Sequence, residues 1–241
     1  MSTDPVKYKL PYVPSGRDLE EKSITLDAIH AGGVTELDAH SLFGTMEVKA
    51  THEWFASNNK RTVIIERSSY AGMGKFASRW LGDNFSNEDY MGYSVTGIMG
   101  HNIMGIPLAG SDICGFIDNT NAELCARWHM VGAFYPFSRN HNSWDTISQE
   151  PYQPMFDASY TEQGVTYFEI IKRAIHMKYN MIRYYYSELS FLSQEGGAFY
   201  KPLFFEFPGE AGAYDNQEIN IMLGSALKLG IQSTATKVNT T

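Results

Sequence analysis

Apolar residues along this chain alternate between short β-prone runs and longer stretches at helical spacing. Positions 35–57 carry the helical pattern, and TVIIER (62–67), short and β-branched, predicts a buried strand. A Gly- and Ser-rich loop (68–78) leads into a second short strand ending at Asp83. Residues 87–101 predict a helix with Tyr90, Tyr93, Ile98 and Met99 in its apolar set, followed by strand-like GIPLAGSDICGF (105–116). Thr120 and Glu123 stand at capping-box spacing, so a helix is expected over 120–132, with AFYPF (133–137) as the next strand. A long helix over 161–194 should end at Gly196 and Gly197. KPLFFEF (201–207) and INIMLGSALKLGI (219–231) predict strands of a different packing unit. Residues 1–23, with Pro5, Pro11, Pro14 and Gly16, read as irregular.

Strand, loop and helix thus alternate through 62–195, the order of a parallel α/β sheet. About four strand positions precede the long helix, half the number in an eight-stranded barrel. A half barrel leaves two unpaired edges, which natural proteins rarely expose. Barrels of parallel strands collect reactive side chains where the strands end. Four clusters here fit that rule: IIERSSY (64–70), RWLGDN (79–84), IPLAGSDICGF (106–116) and AFYPFSRNHN (133–142). Each joins an apolar or β-prone run to Arg, Asp or His.

Composition narrows the function classes. The chain has 241 residues, 43% hydrophobic and 19% charged, enough to bury a sizeable core. A net charge of −8 without a basic stripe argues against nucleic acid as a partner. No apolar run reaches the roughly 18 residues of a transmembrane helix, and the first residues lack the apolar core of a signal peptide. Aromatics reach 14%; they suit a sugar-stacking cleft but equally fill a core. No Cys or His spacing suggests a metal site, and nothing implies a cofactor. Cys114 and Cys125, taken alone, read more readily as two buried thiols than as a disulfide.

On the residues alone, Asp83 reads first as a turn residue, since GDN is a common turn sequence. Arg67 reads as a strand-end ion-pair partner, Trp80 and Phe116 as core, Asp112 as a turn cap, and His141 as a satisfied structural histidine.

The clusters change these readings together. ERSSYAGMGKFASRWLGDN (66–84), GIPLAGSDICGF, ELCARWHMVGAFYPFSRNHN (123–142) and QEPY (149–152) resemble glycoside hydrolase family 31, the retaining α-glucosidases. The likeness continues upstream through PYVPSGRDL (11–19) and LDAHSLFG (37–44), and downstream through KPLFFEFP and IMLGSALKL. ICGF together with RNHN resembles the lysosomal and digestive branch more than the endoplasmic-reticulum one. The resemblance implies the C-terminal half of a (β/α)8 TIM barrel over residues 1–198. The opening of a β-sandwich domain over 199–241 follows. It also implies that the family's nucleophile segment, W-x-D-M-N-E, lies before this chain, because nothing like it occurs here.

Retaining glycosidases use two carboxyl groups about 5–5.5 Å apart, one a nucleophile and one an acid/base. By resemblance Asp83 is the acid/base, which needs a raised pKa from burial and a neighbouring carboxylate. Arg67, Trp80, Asp112, Phe116 and His141 would be substrate-binding, with Arg139 supporting the loop. Cys114 and Cys125 would form a disulfide, implying a lysosomal or secreted setting. The implied partner is an α-glucoside or oligosaccharide; the oligomeric state is not legible. Asn239 and Asn84 head glycosylation sequons, the latter too near Asp83 to be modified. The competing reading is an inactive carbohydrate-binding remnant or interaction protein, and a third is a related activity such as α-xylosidase or transglycosylase.

Overall fold

The computed structural model describes residues 23–231; all but the last residue of the N-terminal segment expected to be irregular, and the Asn239 sequon, lie outside the described residues. Helix α1 (Glu36–Ala39) passes through a 3-10 turn at His40–Leu42 into α2 (Phe43–Ser57), as the helical spacing over 35–57 leads one to expect. Strand β1 (Ile65–Glu66) follows, then β2 (Ser78–Trp80), α3 (Glu88–Ile103), β3 (Ala109–Gly110), β4 (Asp112–Ile113), α4 (Ala122–Gly132) and β5 (Arg139–Asn140). A short α5 (Pro154–Asp157) precedes the 29-residue α6 (Tyr167–Glu195). Three antiparallel strands close the described chain: β6 (Tyr200–Pro202), β7 (Asn220–Leu223) and β8 (Leu227–Gly230).

Parallel pairing joins β1 to β2, β2 to β3, and β4 to β5. Only Ser111 separates β3 from β4, so one continuous run serves both pairs and four strand positions result. The described strands do not close a barrel; β1 and β5 each pair on one side only. Helix α3 packs on β3 and α4 on β4, and α6 packs in turn against α4. The core between them is rich in aromatics: Trp128, Tyr135, Phe156, Phe199 and Tyr200 are fully buried.

Several local expectations are corrected. TVIIER is not buried: Val63 is 78% and Ile65 39% exposed, because β1 is an edge here. AFYPF is a turn and bend, and the strand begins only at Arg139. Pro136 has no N–H to give to a ladder. Tyr135 is instead tied by its hydroxyl to Ser94 and Trp128. The cap of α4 is Asn121, whose side chain accepts from the Leu124 N–H, rather than Thr120. Helix α6 starts at Tyr167 on a Thr166 cap, six residues later than 161. Tyr93 faces solvent. KPLFFEF gives two strand residues before turning into a 3-10 helix, and 219–231 folds as a hairpin.

The antiparallel unit is fastened to the rest by side chains. Asn102, buried on α3, accepts the N–H groups of Phe199 and Tyr200 at 2.9 and 2.8 Å. From α6, Tyr184 donates to the Leu223 carbonyl at 2.7 Å, and Glu188 accepts from Ser225 at the hairpin tip.

Candidate active site

Parallel strands carry their chain forward to the same side of the sheet, so the residues after β1, β2, the β3–β4 run and β5 meet there. Four of the six expected site residues touch. The Trp80 indole N–H donates to Asp112 Oδ1 at 2.6 Å. His141 Nε2 stands 2.7 Å from the same oxygen, an ion-pair distance though not in hydrogen-bond alignment. The His141 ring lies 4.7 Å from Phe116 and 5.8 Å, edge-on, from Trp80. Arg139 adds its guanidinium 5.1 Å over the Trp80 ring, so it touches the cluster as well as the loop.

Asp112 is the electrostatic centre. It is fully buried, and its second oxygen has no hydrogen-bond partner. Burial pushes its pKa up to about 6, against the pull of His141, Trp80 and Arg139. A carboxyl so placed exchanges a proton in mildly acidic solution.

Asp83 and Arg67 form a separate pair on the rim. Their closest charged atoms are 4.0 Å apart, with side chains 37% and 61% exposed. The burial and neighbouring carboxylate that an acid/base requires are therefore not supplied by the described residues; a guanidinium stands there instead. Gly82, at φ +91°, turns the chain to present Asp83, and a Cβ there would press on the Arg67 side chain at 3.3 Å.

Residue-by-residue reading missed the scaffold of the site. Buried Asn84 links the rim to the cluster: its side-chain oxygen accepts from Ser111 at 2.7 Å, and its carbonyl accepts the N–H groups of Phe116 and Ile117. That burial fits an unmodified sequon. Gln149, also buried, donates to the carbonyls of Gly115 and His141 at 2.8 and 3.0 Å. Asn140 donates to the Gln149 carbonyl in return. Asn84 and Gln149 both lie inside the motif segments, which was the only sign available, since their partners are up to 36 residues away.

Cys114 and Cys125 are disulfide-bonded, with Cα atoms 4.4 Å apart, correcting the two-thiol reading of the residues alone. The bond joins the turn after β4 to the first part of α4. Gly115 follows at φ +84°, and any Cβ there would collide with Ser86 at 2.4 Å, so the Phe116 loop lies directly on the Asp83 loop. His129 sits against the sulfurs at 3.4 and 3.7 Å and 2.8 Å from the Cys125 carbonyl. Burial lowers its pKa to about 4, leaving it neutral. Cys114, Cys125 and His129 gather as three metal-ligand types would. Both sulfurs are committed to the bond, however, so no thiolate remains to ligate an ion.

Among the described residues no helix is long and apolar enough to cross a membrane. Residues 11–188 match the sequence profile described as glycosyl hydrolases family 31 TIM-barrel domain. The chain is 40% identical over 235 residues to the lysosomal acid alpha-glucosidase of Tetrahymena pyriformis, covering 91% of this chain and 24% of that protein. It is 36% identical over 234 residues to the lysosomal alpha-glucosidase of Bos taurus, covering 96% and 24%. The glucosidase II alpha subunit crystallised with Glc1Man2 superposes with a TM-score of 0.78 at 27% identity, over 88% of this chain and 22% of that one. This chain therefore spans about a quarter of the length of such relatives. Its fold is that of a TIM-barrel domain.

Proposed function

The chain belongs to glycoside hydrolase family 31, and on that premise we propose that it supplies the acid/base half of a retaining α-glucosidase site. The observation that carries the proposal is the contact cluster of Trp80, Asp112, Phe116 and His141 beside the Arg67–Asp83 pair. Stacking rings around a buried carboxylate suit a sugar, whose ring faces are apolar and whose edges carry hydroxyls. Asp83 would protonate the departing glycosidic oxygen and then deprotonate the attacking water. Asp112 and His141 would grip hydroxyls, Trp80 and Phe116 would wall the sugar, and Arg67 would bind it from the rim.

Residues 1–198 would form the C-terminal half of the barrel and 199–241 the opening of a β-sandwich. The nucleophile would come from a W-x-D-M-N-E segment, absent from these 241 residues, whose carboxylate would also provide the neighbour Asp83 needs. The substrate would be the terminal glucose of an α-1,4-linked oligosaccharide. The disulfide supports an oxidising, lysosomal or extracellular setting.

The test uses the protein that holds both halves. Asp83→Ala should abolish maltose hydrolysis but still release nitrophenol from a nitrophenyl α-glucoside, because that leaving group departs without a proton. Near-normal maltose turnover by the variant would remove Asp83 from the acid/base role. The isolated chain should show only background hydrolysis, and brisk turnover by it would overturn the need for a second carboxylate.

A further inference from the structure

Behind the pocket, on the helix side of the strands, a second polar group has no part in the chemistry described so far. Arg79 is the middle residue of β2, next to Trp80. At the last register pair of β1 and β2, Glu66 with Arg79, its guanidinium donates to the Glu66 carbonyl at 3.3 Å and to the Trp80 carbonyl. Glu66 is the residue before Arg67, so one planar group grips the backbone beside two expected sugar contacts. Its Nε–H points the other way, to His101 Nε2 at 3.0 Å, in the last turn of α3.

His101 is itself oriented. Its Nδ1 lies 2.7 Å from the Gly97 carbonyl, a contact that needs the proton on Nδ1 and leaves Nε2 as an acceptor. Ser69, in the loop after β1, stands 3.5 Å from Nε2. The groups facing the imidazole are therefore Arg79 from β2, Ser69 from the loop and Gly97 from its own helix. Burial, with Arg79 adding to it, keeps the His101 pKa below the usual imidazole range. The three acceptors that Arg79 reaches are all neutral, and a fork of donors on one rigid plane suits spacing two strand ends.

We propose that Arg79, oriented by neutral His101, is a positioning residue that sets the spacing of Arg67 and Trp80 at the mouth of the sugar pocket. The inference rests on the reading of that pocket as a sugar site. Its test reads geometry without sugar, so the two can fail separately.

The isotope-labelled full chain, studied by NMR, offers two reporters: the Arg79 Nε–H signal, held by His101, and the Trp80 indole N–H signal, held by Asp112. In His101→Leu the Arg79 signal should vanish into solvent exchange and the Trp80 signal should move, while His101→Gln, whose amide oxygen still accepts, should restore both. Arg79→Lys keeps the charge but not the fork, and should move the Trp80 signal in a folded protein even if His101→Leu does not fold. On acidification below the normal imidazole range the Arg79 signal should disappear in the parent chain and persist in His101→Gln. A Trp80 signal unmoved in His101→Leu or in Arg79→Lys would overturn the proposal. So would equal acid loss of the Arg79 signal in parent and His101→Gln.

Discussion

Asp112 and Glu36 are both buried carboxylates in contact with histidine, yet their environments drive them in opposite directions. Glu36 accepts from the Ser23 hydroxyl at 2.7 Å and meets His30 and His40 at 2.7 and 3.0 Å. The His40, Ser23 and His30 contacts outweigh burial and lower its pKa to about 2. Asp112 has one donor on one oxygen, an imidazole out of alignment and a second oxygen with no partner, so burial wins and the value rises to about 6. The charge of a carboxylate therefore follows the balance between the donors on it and its desolvation, and Asp112 has both the fewer donors and the heavier desolvation. The well-satisfied carboxylate fastens the segment before α1, whereas the under-satisfied one stands where a polar ligand would complete its hydrogen bonds.

The sharpest way to break the comparison is to remove Glu36. Glu36→Ala leaves Ser23, His30 and His40 without their acceptor and should lower stability by about 3 kcal/mol at neutral pH, read from urea unfolding. Its pH dependence has a fixed sign. Because the folded value is depressed, the Glu36 contribution is complete above the unfolded value near 4.5 and is lost as pH falls toward about 2. The variant and the parent should therefore converge in strong acid, and a constant gap down to that range would deny the carboxylate its role.

The two regions also differ in what holds them, since only the Asp112 region carries a covalent tie. Replacing both Cys114 and Cys125 by Ala should cost about 2–3 kcal/mol. It should also shift the Asp112 titration, followed by carboxyl NMR, while leaving that of Glu36 in place. Equal shifts at both carboxylates would mean that the disulfide supports the whole fold rather than the Asp112 loop.

How much of this was legible beforehand depends on where the determining contacts lie. Helices were legible because their caps and apolar spacing are local: the Gly196–Gly197 stop fell where expected, and Asn87 and Thr166 cap α3 and α6. AFYPF misled because an aromatic run buried in a turn has the same composition as a strand, and what Tyr135 does is set by Ser94 and Trp128 on two helices. TVIIER misled because burial depends on a neighbour that pairs on its free side. At the site, the motifs marked Trp80, Asp112 and His141, but no spacing rule announces that Trp80 and His141, on either side of Asp112 in sequence, meet at one of its oxygens. Asn84, Gln149 and Arg79 stayed hidden for the same reason, as polar groups whose main partners lie in distant loops, strands and helices.

Asp112→Asn tests the other side of the comparison. A raised folded value means that ionised Asp112 costs stability, a penalty absent below the unfolded value near 3.8 and complete above about 6. The amide can still accept the Trp80 N–H, so the variant should be more stable than the parent by about 3 kcal/mol at pH 7, with the gap closing below the unfolded value near 3.8. A variant less stable at both would show that His141 and Arg139 already compensate the charge.

The smallest effect separates the donor from the desolvation. Trp80→Phe keeps an apolar ring over the site but removes the one aligned hydrogen bond that Asp112 accepts from a side chain. With burial unchanged and a donor lost, the Asp112 carboxyl should titrate about one unit higher than in the parent chain, equivalent to about 1.4 kcal/mol. The measurement is again the carboxyl NMR shift against pH, with Glu36 in the same spectra as the internal reference. Were Asp112 unmoved, the indole would not be what holds its value down, and His141 and Arg139 would have to carry that role. The double variant with His141→Phe then distinguishes the two, because the remaining contact should account for whatever shift the first substitution failed to produce.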